Sequence, residues 1–471
     1  MDDRPAVTGV IRRRDNAVAQ TPPLGGLPPP EGPSVSGSGT SRFPGFVLGA
    51  YGVAAGAAVA AARIALLRKA GASERAERLG TALPPCGPGR LLLHAVSAGE
   101  MTAASALASE IERTAGLKLL LTTGTREGRI VAEQVREACR AVEAVAFLPW
   151  DRPGAVRRWL ARLAPAAVVT VEAELWPGLF LGARSLGIPV AVASARLRPG
   201  EAWRYARAGP FFRPVVDAVS WIGARTEEDR ERFLAIGASP SRVEVTGDLK
   251  LDAPTPAAAL PPGWKVWLEI GPPLLVAAST HAPEEELLLE AVKRLRGEGA
   301  EVRLALAPRH VARSGEVERL ARQAGFGTCR LSGPPGPASI LVVDTFGLLS
   351  SLWPQAAIGF LGGTLAPVGG HSPVAAAEAG VPLLAGPSLE GVRDVADALR
   401  FAGALVDVGK DGAVEELAAA LARLLSDEGD RRRRGEAGRR ALGSLRGAAA
   451  RTATRVLGLL ASGRRPGPEA L

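Results

Sequence analysis

Cysteine, histidine and aromatic side chains are scarce in this sequence: three, four and 4% respectively of 471 residues. Cys86, Cys139 and Cys329 lie far apart with no C-x-x-C pair, which excludes a disulfide framework and a thiolate metal site and points to a reducing compartment. So few aromatics leave few platforms on which bases could stack. Acidic charge is in deficit overall, with a net charge of +9 and a pI of about 10.1. Such a balance suits nucleic acid, an anionic membrane or a phosphorylated substrate. Its distribution excludes the first. Residues 91–430 carry 35 basic against 40 acidic side chains, whereas residues 63–90 carry net +4 and residues 431–471 net +9. An acidic body without a basic stripe lacks the footprint of nucleic-acid binding.

What is present is a chain long and apolar enough for two domains, with 47% hydrophobic residues. Residues 1–42 are rich in Pro, Gly and Ser and read as a disordered tail. Between Arg42 and Arg63 lie twenty uncharged residues, which as a helix would extend about 30 Å. Residues 43–69 are therefore expected to be a membrane-anchor helix that spans the bilayer or lies at its interface, with a helical lead-in buried against protein as the alternative. Arg63, Arg68 and Lys69 on its C-terminal side place the next domain on the cytoplasmic face. From residue 90 the apolar runs RLLLHAV, LKLLLTT, AVEAVAFLP, AAVVTVE and IPVAVAS alternate with helical stretches. A Pro- and Ala-rich linker comes next at 251–263. The rhythm then restarts with LLVAAST, VRLALAP, SILVVD, AAIGFLGG and VPLLAG. This predicts an α/β protein of two doubly wound parallel sheets, residues 70–252 and 253–430, facing a cleft, then a basic helical segment at 431–471.

Chemistry-bearing residues collect at the predicted strand ends. All four histidines, His94, His281, His310 and His371, sit where a strand gives way to a loop, a placement better explained by one shared cleft than by four structural roles, at spacings that do not suit a metal. Ser97, Gly99 and Glu100 open a helix, where Glu100 is either a capping residue or a general base. Glu172 and Glu174 end an apolar strand and would share a face; such buried carboxylates need a partner, with Lys250 or an arginine as candidates. Gly362, Gly363, Gly369 and Gly370 precede a predicted helix, and their backbone N–H groups are expected to cradle an anion with Arg309.

Taken in order, HAVSAGE, TTGTREG, LPWDRPGAVRRWL, EAELWPGL, SARL, TEEDRERFLAIGA, GDLKLD, STHAPEEE, APRH, DTFGLL and FLGGTLAPVGGHSP resemble the 3-deoxy-D-manno-octulosonic acid (Kdo) transferases of lipid A biosynthesis. The resemblance implies a GT-B fold of two Rossmann-like halves with an N-terminal membrane-associated helix. It implies transfer of Kdo from CMP-Kdo to a phosphorylated tetraacyl lipid A precursor in lipopolysaccharide biosynthesis, inverting, without metal or cofactor, at the cytoplasmic face of the inner membrane. By motif, the proton acceptor falls on Glu100 and transition-state stabilisation on Glu172 and Lys250. The CMP contacts fall on Pro308, Arg309, Phe346, Gly347 and Leu348 and on Ser372, Pro373, Val374 and Ala375. Ser97, Gly99, Ser279, Thr280, His281, Gly363 and His371 complete the implied cleft.

The sequence departs from the family pattern on the donor side. Leu348 stands where an acidic residue is common, and Ser372 and Ala375 replace the amide and the carboxylate of G-G-H-N-P-L-E. Glu378, one helical turn on, is a candidate substitute. Ser194 and Asp248 replace the asparagines of N-A-R-L and G-N-L-K. These changes keep two other outcomes open: a GT-B transferase for another nucleotide sugar, and a catalytically weak glycolipid-binding paralogue.

Overall fold

The computed structural model describes residues 70–172, 175–254 and 259–463. The expected tail and anchor helix, Glu174 and the last eight residues lie outside them. The first sheet is built from β1 (Leu91–His94), β2 (Leu119–Thr123), β3 (Val142–Phe147), β4 (Ala167–Val171), β5 (Val190–Ala195), β6 (Trp221–Ala224) and β7 (Val243–Val245) in the order β3-β2-β1-β4-β5-β6-β7. The second contains β8 (Leu274–Thr280), β9 (Arg303–Pro308), β10 (Thr328–Arg330), β11 (Ile340–Val342), β12 (Ile358–Leu361), β13 (Leu383–Ala385) and β14 (Leu405–Asp407), ordered β10-β11-β9-β8-β12-β13-β14. Every pairing is parallel.

The continuous apolar runs become these strands because helices cover both faces of each sheet. Leu91 and Leu93 enter one core with Met101 and Leu107, while Leu92 enters the opposite core with Trp159 and Phe180. The second sheet divides in the same way, Val276 to one side and Leu275 and Ala277 to the other. The result is the pair of doubly wound halves that the rhythm predicts. Strands β6, β7, β10 and β14 go unannounced in the sequence. Strands β7, β10 and β14 are three-residue, incompletely buried edge strands, so no apolar run marks them, whereas β6 is fully buried but only four residues long.

In a doubly wound sheet the ligand crevice opens where strand order reverses, beyond the strands' carboxyl ends. That point lies between β1 and β4 in the first sheet and between β8 and β12 in the second. The chain then crosses back: the helix Ala448–Gly463 comes after the second half yet buries Ala448, Ala449, Ala453 and Val456 in the core of the first. Asp252 anchors its start by accepting from Gly447 N–H at 2.8 Å and Ala449 N–H at 2.7 Å. Among the described residues no helix is long and apolar enough to cross a membrane.

Candidate functional site

At the first reversal point the helix Ala98–Ala115 begins directly after β1. Ser97 is its N-cap, its hydroxyl accepting Glu100 N–H at 3.3 Å and donating to Glu100 Oε1 at 3.0 Å. Glu100 Oε2 reaches back to Val96 N–H at 2.7 Å. This is a capping box shifted by one residue. The capping role considered for Glu100 is thus real, and it holds the half-buried carboxylate at the mouth of the crevice. Gly99 is exposed, with open space around its Cα.

Glu172 is not on the strand face expected for it. Strand β4 ends at Val171, and Glu172 turns left-handed at φ 67°. Its carboxylate forms an ion pair with the Lys250 ammonium. Lys250 lies on the turn Leu249–Leu251, whose Leu249 packs in the same core as Met101 of the Glu100 helix. Ser194 (φ 50°) and Ser279 (φ 56°) are also left-handed, inside register shifts of β5 and β8. Left-handed backbone at a side-chain-bearing residue costs on the order of 1–3 kcal/mol and collects at functional sites. Three such residues end three strands that face the crevice.

The two departures Ser194 and Asp248 touch each other. Ser194 Oγ donates to Asp248 Oδ1 at 3.3 Å and accepts Leu249 N–H at 3.2 Å, while Asp248 also accepts Lys250 N–H at 2.9 Å. They form one exchanged pair that supports the lysine's turn. Arg225 extends the network, reaching Asp248 at 3.4 Å and Asp394 of the second half at 2.9 Å.

His94 departs from the shared-cleft expectation, because its ring is buried under Trp176 rather than open to the crevice. Its Nδ1 lies 3.1 Å from Thr122 O and 3.0 Å from Thr122 Oγ1. Desolvation drives its pKa down to about 4, partly opposed by the hydrogen bond with the Thr122 backbone. The unfolded chain then takes up a proton below about pH 6.5 and the folded chain does not, so stability falls with pH in this window. His94 is expected to remove about 2 kcal/mol between pH 7 and pH 5. Urea unfolding at both pH values checks this against His94→Gln; an identical pH dependence in the variant would refute it.

In the second half none of the four glycine N–H groups is left for a ligand anion as expected: Gly362 donates to Ala278 O, Gly369 to Ser388 Oγ, Gly370 to Gly363 O, and Gly363 to Glu284. This fully buried carboxylate accepts Gly363 N–H at 2.8 Å, Thr364 and Leu365 N–H at 2.9 Å, Ala366 N–H at 3.2 Å and His281 N–H at 2.9 Å. Nothing in the pattern STHAPEEE distinguishes Glu284 from its two acidic neighbours; only the fold aims it inward. A Cβ at Gly362 would lie 2.4 Å from Ser279 O, so the close approach of β8 and β12 requires glycine there. Thr280 Oγ1 donates to buried Glu285, a structural role.

The site residues around this loop are His281, whose Nε2 meets His371 Nε2, with Gly363 against His371 and His310 edge-on to His281. Arg309 follows buried Pro308, is exposed, and has no side-chain partner among the described residues. Phe346 is 87% exposed on the turn that carries Gly347 at φ 86°. Leu348, Val374 and Ala375 lean into the core, Pro373 is buried, and Ser372 is exposed, its hydroxyl accepting Val374 N–H at 3.4 Å. The helix Val374–Ala379 has only six residues. Glu378, the candidate substitute carboxylate, is paired with Arg446.

Two cavities lie among the described residues away from these side chains. One of about 520 Å³, lined by Pro272, Arg303 and Ser339, opens at the amino ends of β8, β9 and β11, the wrong end for a ligand in such a sheet. The other, about 340 Å³, lies between the halves, with Arg196, Arg198, Arg225, Arg232 and Arg393 in its wall.

Residues 70–253 match the profile of the family described as 3-Deoxy-D-manno-octulosonic-acid transferase (kdotransferase). A 3-deoxy-D-manno-octulosonic acid transferase of Bordetella pertussis is 34% identical over 345 residues, 71% of this chain and 80% of that one. One from Haemophilus influenzae is 28% identical over 79% of this chain and 88% of its own. A crystal structure of UDP-N-acetylglucosamine 2-epimerase superposes with a TM-score of 0.54 over 82% of this chain and 99% of that one. At 14% identity this last likeness speaks for the fold alone.

Proposed function

Because this chain belongs to the 3-deoxy-D-manno-octulosonic acid transferase family, and is thus a glycosyltransferase of GT-B fold, we propose that it moves Kdo from CMP-Kdo to a phosphorylated lipid A precursor. The observation that carries this reading is the placement of the chemistry at the two reversal points. Glu100 and the Glu172–Lys250 pair stand at the first, and His281 and His371 at the second, with Arg309 after the neighbouring strand β9.

In this reading a lipid hydroxyl loses its proton to Glu100 as its oxygen attacks the anomeric carbon, and CMP leaves from the opposite face with inversion. Lys250, held by Glu172, and Arg309 meet the charge developing on the leaving phosphate. Preorganised electrostatics of this kind contributes more than any other effect in many enzymes. Arg309 is available for this because no carboxylate among the described residues neutralises it. Exposed Phe346 offers a face to the cytosine. In the cavity between the halves Arg225 and Arg232 are paired with Asp394, Glu228 and Asp229 of the same wall, and Arg196, Arg198 and Arg393 are the cations that suit a phosphate of the acceptor.

Purified protein incubated with CMP-Kdo and the tetraacyl precursor is expected to yield a lipid heavier by Kdo; an unchanged lipid mass would refute the reading. Arg309→Ala is expected to raise the donor KM about 10- to 100-fold, the worth of one charged hydrogen bond. Steady-state kinetics at varied CMP-Kdo checks it, and an unchanged KM removes Arg309 from the donor site. The pairing of Glu378 with Arg446 favours a second reading, in which a donor site without its usual carboxylate accepts another nucleotide sugar. Consumption of a different sugar nucleotide with CMP-Kdo inert would select it.

We place the enzyme at the cytoplasmic face of the inner membrane. Exposed Trp203, with Arg207 stacked 4.9 Å from its ring centroid, and exposed Phe211 and Arg204 form an aromatic and basic surface suited to anionic lipid headgroups. Co-flotation with anionic vesicles is expected to weaken for Trp203→Ser plus Arg207→Ser, and equal recovery at every salt concentration would argue against this surface.

A further inference from the structure

His281 Nε2 and His371 Nε2 are 2.9 Å apart, and the two rings lie within 6° of parallel. A contact of that length between ring nitrogens holds one proton, with one ring donating and the other accepting. Each neutral imidazole carries a single N–H. With one proton in the shared bond, the second sits on Nδ1 of the accepting ring, and Nδ1 of the donating ring keeps a lone pair. That lone pair is the one place where the pair can take up a proton without breaking its bond. The doubly loaded pair then carries one positive charge and presents two Nδ1–H donors. Among the described residues neither Nδ1 has a protein partner, and both rings are partly open to the crevice.

The groups around the pair decide when that proton arrives. Burial first, then His281, Arg309 and His310, hold the His371 pKa down to about 4. On the acidic side, Glu284 accepts the backbone N–H of His281 but is saturated by the Gly363–Ala366 segment. Glu285 is paired with Arg313, and Glu390, beside Gly369, accepts from Ser388. The field at the pair is therefore positive and opposes an added proton until an anion enters.

We propose that His281 and His371 form a proton-loading clamp for an oxyanion of the acidic sugar nucleotide. As the phosphodiester binds, one proton passes from solvent to the free Nδ1, and both rings then donate to the ligand beside Arg309. When the nucleotide leaves, that proton returns to solvent. The clamp rests on the reading that this half binds the donor.

The methyl phosphodiester of CMP has no proton to gain or lose near neutrality, so any proton linkage on binding belongs to the protein. Calorimetric titration of the full chain with this probe, in two buffers of different ionisation enthalpy, is expected to show uptake of a fraction of one proton per ligand. Affinity should fall as pH rises from 6 to 8, by up to tenfold per pH unit, the limit for one linked proton. His281→Asn and His371→Asn should each abolish both effects. Binding by the wild type without proton uptake, or uptake that survives in both paired variants, would overturn the clamp and leave the donor reading standing. Failure of the probe to bind at any pH would overturn both.

Discussion

Glu100→Gln is expected to lower Kdo transfer by about 10²- to 10⁴-fold, the usual loss when a general base is removed, while leaving the thermal midpoint almost unchanged. The two effects separate because Glu100 has two tasks. As a cap it accepts Val96 N–H and the Ser97 hydroxyl. Glutamine can keep both links, its oxygen accepting Val96 N–H and its amide facing Ser97 Oγ, but it cannot take a proton from an incoming hydroxyl. Glu100→Ala should lose the same activity and also about 1 kcal/mol of helix-end stabilisation. Transfer at the wild-type rate by the glutamine variant, measured as Kdo incorporated into lipid, would reduce Glu100 to a cap.

The largest loss of stability is expected at Glu284. Its buried carboxylate meets five backbone N–H groups, three on Oε1 and two on Oε2. Glu284→Gln keeps the volume but turns an NH₂ toward at least two N–H donors, leaving them buried without acceptors. Removing one side of a buried, charged hydrogen-bond cluster costs about 3–5 kcal/mol. Urea unfolding followed by the tryptophans Trp264 and Trp353 of the second half should show this loss. CMP affinity should fall with it, since the same carboxylate holds the segment leading to His371. A variant as stable as the wild type would mean that the segment needs no anion to hold it.

The glycine-rich segment also marks how far residue patterns reach. Consecutive glycines feeding a short helix suggest an anion held by backbone N–H groups, yet Gly369 and Gly370 donate to Ser388 Oγ and Gly363 O, and the anion that is there sits on the preceding segment Gly363–Ala366. That anion is the protein's own, because burial and long-range approach, not local spacing, select which of Glu284, Glu285 and Glu286 turns inward. The histidines divide for the same reason. Strand ends locate all four, but only the second sheet's reversal point gathers His281, His310 and His371, while Trp176 covers His94. Ser194 and Asp248 look like two unrelated departures 54 residues apart until β5 and the Lys250 turn bring them into contact.

The net charge of +9 shows the division most clearly. That a neutral-to-acidic body carries its excess of arginine near the C-terminus is a matter of counting, and the apolar runs and ordered motifs were enough for two parallel sheets and for the family. The use of the arginines was not legible. In the structure Arg446 takes Glu378, Arg451 takes Thr246 O, Arg455 takes Glu244, and Arg431, Arg434 and Arg439 bind helix-end carbonyls. Most of this charge therefore ties the last helices to both halves, and less of it is left for an anionic surface than composition suggests. Apolar periodicity is local and repeats along the chain, so sequence reveals it. The partner of a charge is set by which distant segments the fold brings within a few ångströms, and that is decided by tertiary structure alone.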